Sequence, residues 1–182
     1  MNIRKAKVSD IGNIKSLADA LVVRPNDLGK TTGFYDYSLT ENQYLRRVES
    51  PFFFVAESQE GFEGFCMAYD SEFVRKLIEQ EPQLREDAIF DYLNHLNEDY
   101  VYIDQLAVRE LRTIRGGLTA CNLINRIIDE TRTANIHSLL CAIAHKPWEN
   151  ISALKLAEKS GFKLQQEIDS KGILLGIYQL TL

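Results

Sequence analysis

Three cysteines, four prolines and one tryptophan are few for 182 residues, and each scarcity excludes something. Cys66, Cys121 and Cys141 are too sparse for a disulfide framework, and no two of them show metal-ligand spacing. Each lies in an apolar run, so buried, reduced thiols, a cytoplasmic setting and no bound metal are expected. No apolar stretch approaches the roughly 20 residues that cross a bilayer. Met1-Asn2-Ile3-Arg4-Lys5 leads into an alternating pattern rather than an apolar leader. Positive charge is also short, with 21 Lys and Arg against 26 Asp and Glu. A polyanion partner needs the opposite balance. Neither a membrane nor a nucleic acid is therefore expected as a partner. What is plentiful is apolar: hydrophobic residues make up 45% of the chain, enough for the core of one domain over residues 1–182.

Periodicity orders the elements. Residues 2–8 alternate and predict a strand; Ser9 is a candidate N-cap for a helix through Ile11, Ile14, Leu17, Ala18 and Leu21. Residues 24–39 have no period and read as a long loop. Thr40 with Gln43 is a capping-box pair that opens a helix to about Val48. Phe52–Ala56 and Phe62–Tyr69 flank a turn at 58–61 and predict a hairpin. Two amphipathic helices follow over about 72–98, broken at Pro82. Residues 100–108 are a strand, 117–132 a helix, and the apolar run 138–144 a strand buried on both faces. Asn150–Ser160 is a helix stopped by Gly161, and the tail is a hairpin around 169–172. The order is βααββ, a helical pair, then βαβαββ. It predicts an α/β fold, a mixed and mostly antiparallel sheet with helices on both faces.

Leu106-Ala107-Val108-Arg109-Glu110-Leu111-Arg112-Thr113-Ile114-Arg115-Gly116-Gly117-Leu118-Thr119-Ala120 runs from strand through a glycine-containing turn into helix. A helix start offers unpaired amides and a positive dipole end to an anion. Gly116-Gly117 would let a phosphate approach them, and Arg109, Arg112 and Arg115 would add attraction. The segment lacks the Lys-Ser/Thr pair of a P-loop and the three-glycine spacing of a dinucleotide fold. Asn150-Ile151-Ser152-Ala153-Leu154-Lys155-Leu156 with Gly161-Phe162 forms a second block. Together with the opening Ile3-Arg4-Lys5-Ala6, the two blocks resemble the GNAT superfamily of acyl-CoA N-acyltransferases. The likeness covers the whole chain except the helical pair.

The resemblance implies acetyl transfer from acetyl-CoA to a small-molecule or peptide amine in a ternary complex. The strands at 100–108 and 138–144 should splay apart, with pantetheine bonded to the backbone of Leu106, Ala107 and Val108. Pyrophosphate should sit on the amides of Arg115, Gly116, Gly117, Leu118 and Thr119, and Asn150 should face the pantetheine amides. Two departures stand out. The family's third small residue of the first block is Leu118 here, and its usual leaving-group tyrosine is Ala157. They keep in view a CoA-binding sensor without turnover; a further alternative is an enzyme for a longer acyl-CoA, which would need space where the acyl tip ends.

Asp104 is the candidate catalytic and acceptor-binding residue. A carboxylate in an otherwise apolar strand needs a partner, and the resemblance puts that strand beside the thioester. A plainly structural aspartate, bonded to backbone or to Tyr102, is the competing reading. Tyr35 and Tyr37, flanking Asp36 in the long loop, are candidates for the acceptor pocket. His145, Glu57 and Tyr178 are weaker acid–base candidates, and Trp148 reads as packing or as a pantetheine contact. The helical pair must bury its apolar faces; it either caps the acceptor side or forms a homodimer contact.

Overall fold

The computed structural model describes residues 1–27, 30, 32–110 and 113–182. Its sheet has seven strands: β1 (Asn2–Lys5), β4 (Phe52–Ser58), β5 (Gly61–Asp70), β6 (Val101–Val108), β7 (Ser138–Lys146), β8 (Lys163–Ser170) and β9 (Ile173–Thr181). Their spatial order is β1-β4-β5-β6-β7-β9-β8, and only the β6–β7 pairing is parallel. A continuous apolar run suits a strand covered on both faces, and Phe52–Ala56 shows why. Phe53 and Val55 point into one core with Phe65, Met67 and Tyr69, while Phe52, Phe54 and Ala56 enter the other with Cys66 and Ala68.

The first core is closed by α1 (Ile11–Ala20), α2 (Glu41–Arg47), α3 (Ser71–Gln80) and α4 (Ala88–Asn94). The second is closed by α5 (Ile114–Thr133) and α6 (Ile151–Lys159). The mixed sheet with helices on both faces is therefore as the pattern predicts. The helical pair lies at 71–94, joined by a 3-10 turn over Pro82–Glu86. Its apolar side, including Phe73, Leu77, Ile89 and Phe90, is buried in the first core.

Caps decide the helix starts. Thr40 and Gln43 make the expected box, with Oγ1 accepting from Gln43 N at 3.3 Å and Gln43 Oε1 accepting from Thr40 N at 2.9 Å. Ser9 is not a cap. Asp10 Oδ2 accepts from Lys7 N at 2.8 Å and from Arg4 Nη1 at 2.7 Å, so a charged acceptor wins the first turn. α5 begins at Ile114 rather than 117, because Thr113 Oγ1 accepts from Gly116 N at 3.1 Å. The stretch expected as a structureless loop holds part of a second, two-stranded parallel sheet, β2 (Val22–Val23) with β3 (Phe34–Tyr35). Two residues per strand are too few to leave a periodic signal.

Candidate active site

The site begins with an irregularity in β6. Met67 pairs with Gln105 and Ala68 with Ile103, which leaves Asp104 as the extra residue of a β-bulge. Tyr102 and Ala107 still face the first core, and Ile103 and Val108 the second. The bulge turns two consecutive polar residues the same way. Gln105 accepts from Tyr44 of α2 at 2.8 Å, and Asp104 meets Tyr69 of β5 and Tyr37. On its other edge β6 leaves β7. The ladder stops after Val101–Leu139, Tyr102–Leu140 and Ile103–Cys141, although β6 runs on to Val108 and β7 to Lys146. Between the parted strands lies a cavity of about 880 Å³, with Leu106, Ala107 and Val108 on one wall and Cys141–Ala144 on the other.

Asp104 is half-buried at this opening. Its Oδ2 accepts from Tyr69 at 2.7 Å, and Tyr37 spans both oxygens at 3.2 Å each. Burial pushes the carboxyl above its ordinary range, and Arg47 together with the two hydroxyls holds the rise in check. A carboxylate poised upward in a cavity suits a general base.

No protein-family model matches the sequence, and no curated protein is similar to it in sequence. Solved structures are similar in shape. Ard1 from Thermoplasma volcanium matches with TM-score 0.66 and 16% identity, over 100% of this chain and 97% of that one. The ribosomal-protein-alanine N-acetyltransferase from Brucella melitensis gives 0.63 and 18%, over 100% of both chains. The yncA protein of Salmonella typhimurium, solved with its cofactor acetyl-CoA, gives 0.63 and 19%, over 100% and 94%. The chain has the GNAT N-acetyltransferase fold.

Within that fold the residues singled out in the sequence separate into groups. Tyr35, Tyr37, Asp104, Leu106, Ala107, Val108, Gly117, Leu118 and Asn150 all line the cavity; Arg115, Gly116 and Thr119 do not. Arg115 turns to the β4–β5 hairpin, where it pairs with Glu63 and, at 2.5 Å, with Glu60. Its charge is thereby offset by two carboxylates. Thr119 bonds back to Arg115 O at 3.0 Å within the helix. Arg109 is exposed and outside the cavity lining, and Arg112 lies outside the described residues. The two glycines have different tasks. A Cβ on Gly116 would run into the carbonyl oxygen of Glu110 and lie 2.8 Å from that of Arg109, so the close return of the β6–α5 loop requires this glycine. At Gly117 there is nothing within 4 Å, and its face is open to the cavity.

Asn150 caps α6, with Oδ1 accepting from Ala153 N at 3.1 Å, and its Nδ2 donates to Gly33 O at 3.0 Å. Trp148 stacks on Tyr35 at 5.8 Å and donates to Lys30 O. These two residues tie Lys30, Gly33 and Tyr35, the last two in the cavity lining, to the β7–α6 turn, a task their spacing did not reveal. His145 and Tyr178 meet each other, Nε2 to hydroxyl at 3.0 Å, with Glu167 on His145 Nδ1 at 2.7 Å. Neither His145 nor Tyr178 lines the cavity. Glu57 is held by Arg4 in the β1–β4 pairing. Of the cysteines only Cys66 is buried outright. Cys121 and Cys141 line the cavity, and burial pushes the Cys141 thiol up to about 12. Sequence reasoning missed Tyr69, Arg47 and Asp87 around Asp104, and Phe90, Lys155 and Lys159 in the cavity lining. Long-range neighbours of a bulged residue leave no periodic trace.

Proposed function

We propose that the chain transfers an acetyl group from acetyl-CoA to a primary amine, with Asp104 as general base. The observation that carries this reading is the β6 bulge, which presents a carboxylate where β6 and β7 part. The β6 edge beyond Ile103 has no β7 partner, so the backbone of Leu106, Ala107 and Val108 suits the amides of a pantetheine arm. Gly117 and the start of α5 suit the pyrophosphate, with Lys155 and Lys159 of α6 as cationic support. Tyr35, Tyr37 and Asp104 face the acceptor, and Asp36 and Asp87 add negative charge to the same cavity, which favours an amine that arrives protonated. Structures similar in fold include agmatine N-acetyltransferase and NatC bound to Gag peptide and CoA; both a small amine and a peptide fit this acceptor class.

Bound acetyl-CoA would supply a thioester carbonyl, whose C–S bond breaks to release a thiolate of low basicity. Asp104 takes a proton from the acceptor ammonium, exposing the lone pair that attacks that carbon, and later gives the proton to water. The second proton shed by the nitrogen goes to the departing sulfur, since Ala157 offers none. A β6 backbone N–H is suited to polarise the carbonyl.

Thermal unfolding with added CoA, followed by thiol release from acetyl-CoA across an amine panel, tests the reading. Saturation at about 100 times the dissociation constant adds roughly 2.7 kcal/mol of stability. Stabilisation without thiol release would favour the sensor alternative, and no stabilisation would remove CoA from the site. The glycines sharpen the first measurement. Gly116→Ala is expected to cost about 1–3 kcal/mol by overpacking against Glu110. Gly117→Ala should gain roughly 0.5–1 kcal/mol of helix stability, while its methyl weakens CoA binding severalfold in a titration. Equal CoA affinity in Gly117→Ala and the parent would take the pyrophosphate away from this turn.

A further inference from the structure

Two tyrosine hydroxyls converge on Asp104, and they are not equivalent. Tyr69 lies in β5, fully buried, with its ring stacked on Phe73 of α3 at 5.6 Å and 22°. It is not part of the cavity lining, and its bond to Oδ2 is short and undivided at 2.7 Å. Tyr37 belongs to the segment after β3, lines the cavity, and divides one hydroxyl over both oxygens at 3.2 Å. A shared, longer bond is the weaker of the two. Both hydroxyls already bond an ionised acceptor, and an ammonium in place of one adds the attraction of opposite charges.

We infer that Tyr69 is a positioning residue that keeps Oδ2 of Asp104 through the whole reaction, whereas Tyr37 holds the place at Oδ1 that the acceptor ammonium takes over. The inference rests on the reading of Asp104 as the base. It gives the helical pair a task as well, since Phe73 fixes the Tyr69 ring and Phe90 packs edge-on against Tyr102 at 6.5 Å. The other groups facing Asp104 are Arg47 and Tyr44 of α2, Asp87 at the start of α4, and Tyr102 of β6. Arg47 opposes the effect of burial and Asp87 adds to it, and both remain in place in the variants below.

The test compares Tyr69→Phe and Tyr37→Phe, each of which keeps its ring. The pH profile of kcat/KM reports the free enzyme and that of kcat the ternary complex. Thiol release is followed with acetyl-CoA and, in parallel, putrescine and an alanine-initiated hexapeptide. Tyr69→Phe should move the acid limb to higher pH in both profiles and lower kcat at neutral pH about tenfold, a factor equivalent to about 1.4 kcal/mol. Its acceptor KM should stay within about twofold. Tyr37→Phe should move the limb of kcat/KM alone and change the acceptor KM. A kcat limb displaced equally in both variants, or unmoved in Tyr69→Phe, overturns the division of tasks. A carboxyl-carbon NMR titration of Asp104 in the unliganded protein needs no turnover. Tyr69→Phe should raise the midpoint more than Tyr37→Phe does, and equal midpoints reject the inference on their own. Full turnover in Asp104→Asn would instead reject Asp104 as the base, whatever the titration reads.

Discussion

Asp104→Asn is expected to lower kcat by about 10²–10⁴-fold, the range over which a positioned general base acts, with CoA affinity unchanged and the fold intact. Asparagine is nearly the same shape, and its Oδ1 can still accept from Tyr69 or Tyr37. What it loses is basicity. The stability consequence has the opposite sign to the usual one for a lost carboxylate. The folded-state pKa of Asp104 is raised, chiefly by burial, so the folded chain binds this proton more tightly than the unfolded chain does. Stability from this group is therefore lost as pH rises from the ordinary carboxylate pKa through the raised value. Asparagine removes that loss, and the variant should melt at or above the parent temperature at neutral pH. Activity runs the other way, rising with pH through the same raised value as the carboxylate ionises. An inactive variant that is also much less stable would mean that Asp104 is structural, the competing reading of an aspartate in an apolar strand. Parent-like turnover in a stable variant would move the base elsewhere.

The parts legible in the sequence are those that local chemistry dictates. Phe52–Ala56 and Leu139–Ala144 read as strands because every residue in them is apolar, although the cavity leaves Cys141, Ala142 and Ala144 only partly covered. Thr40 with Gln43 had to start a helix, and Gly161 takes up the positive φ of 88° that ends α6. The parting of the two strands followed from the resemblance carried by residues 106–120 and 149–162. What escaped depends on pairs distant in the chain. A bulge is a mismatch between partners, so Asp104 looks like any other position of β6 until Met67 and Ala68 are aligned against it. The two adjacent glycines invited one explanation, whereas the loop folding back from Arg109 and Glu110 gives each its own. Thr113 caps α5 three residues before Gly116, so the helix starts ahead of the glycines rather than at 117. Asn150 reads as a ligand contact from its motif, yet its side chain also fastens Gly33 across 117 residues.

Arg47→Met should destabilise the protein by about 3–5 kcal/mol, because removing one partner strands a buried charge. Arg47 is 0% exposed and Glu81 1%, with Nη1 and Oε1 2.7 Å apart. The pair joins α2 to the end of α3, and Gln43 Nε2 donates to Glu81 Oε2 at 3.0 Å. Burial works to raise the Glu81 carboxyl, but hydrogen bonds from Arg47 and Gln43 outweigh it and leave the group below its ordinary range. In the parent its contribution is therefore present above the ordinary carboxylate pKa and lost as pH falls through the depressed value. Without Arg47 burial has no equal opponent, since Arg46, at 3.2 Å from Oε1 and 44% exposed, is screened by water. Glu81 should then take up a proton on folding, and the stability difference between parent and Arg47→Met should shrink on acidification. Urea unfolding at pH 7 and near pH 4.5 measures it directly; a pH-independent difference would mean that packing, not charge, is what the arginine supplies. Arg47→Met/Glu81→Leu should recover most of the loss, as replacing a whole buried pair by apolar groups is often neutral. The double variant also isolates the effect of Arg47 on the site. With stability restored and the cation that opposes the rise of Asp104 gone, the acid limb of kcat/KM should still lie at higher pH than in the parent.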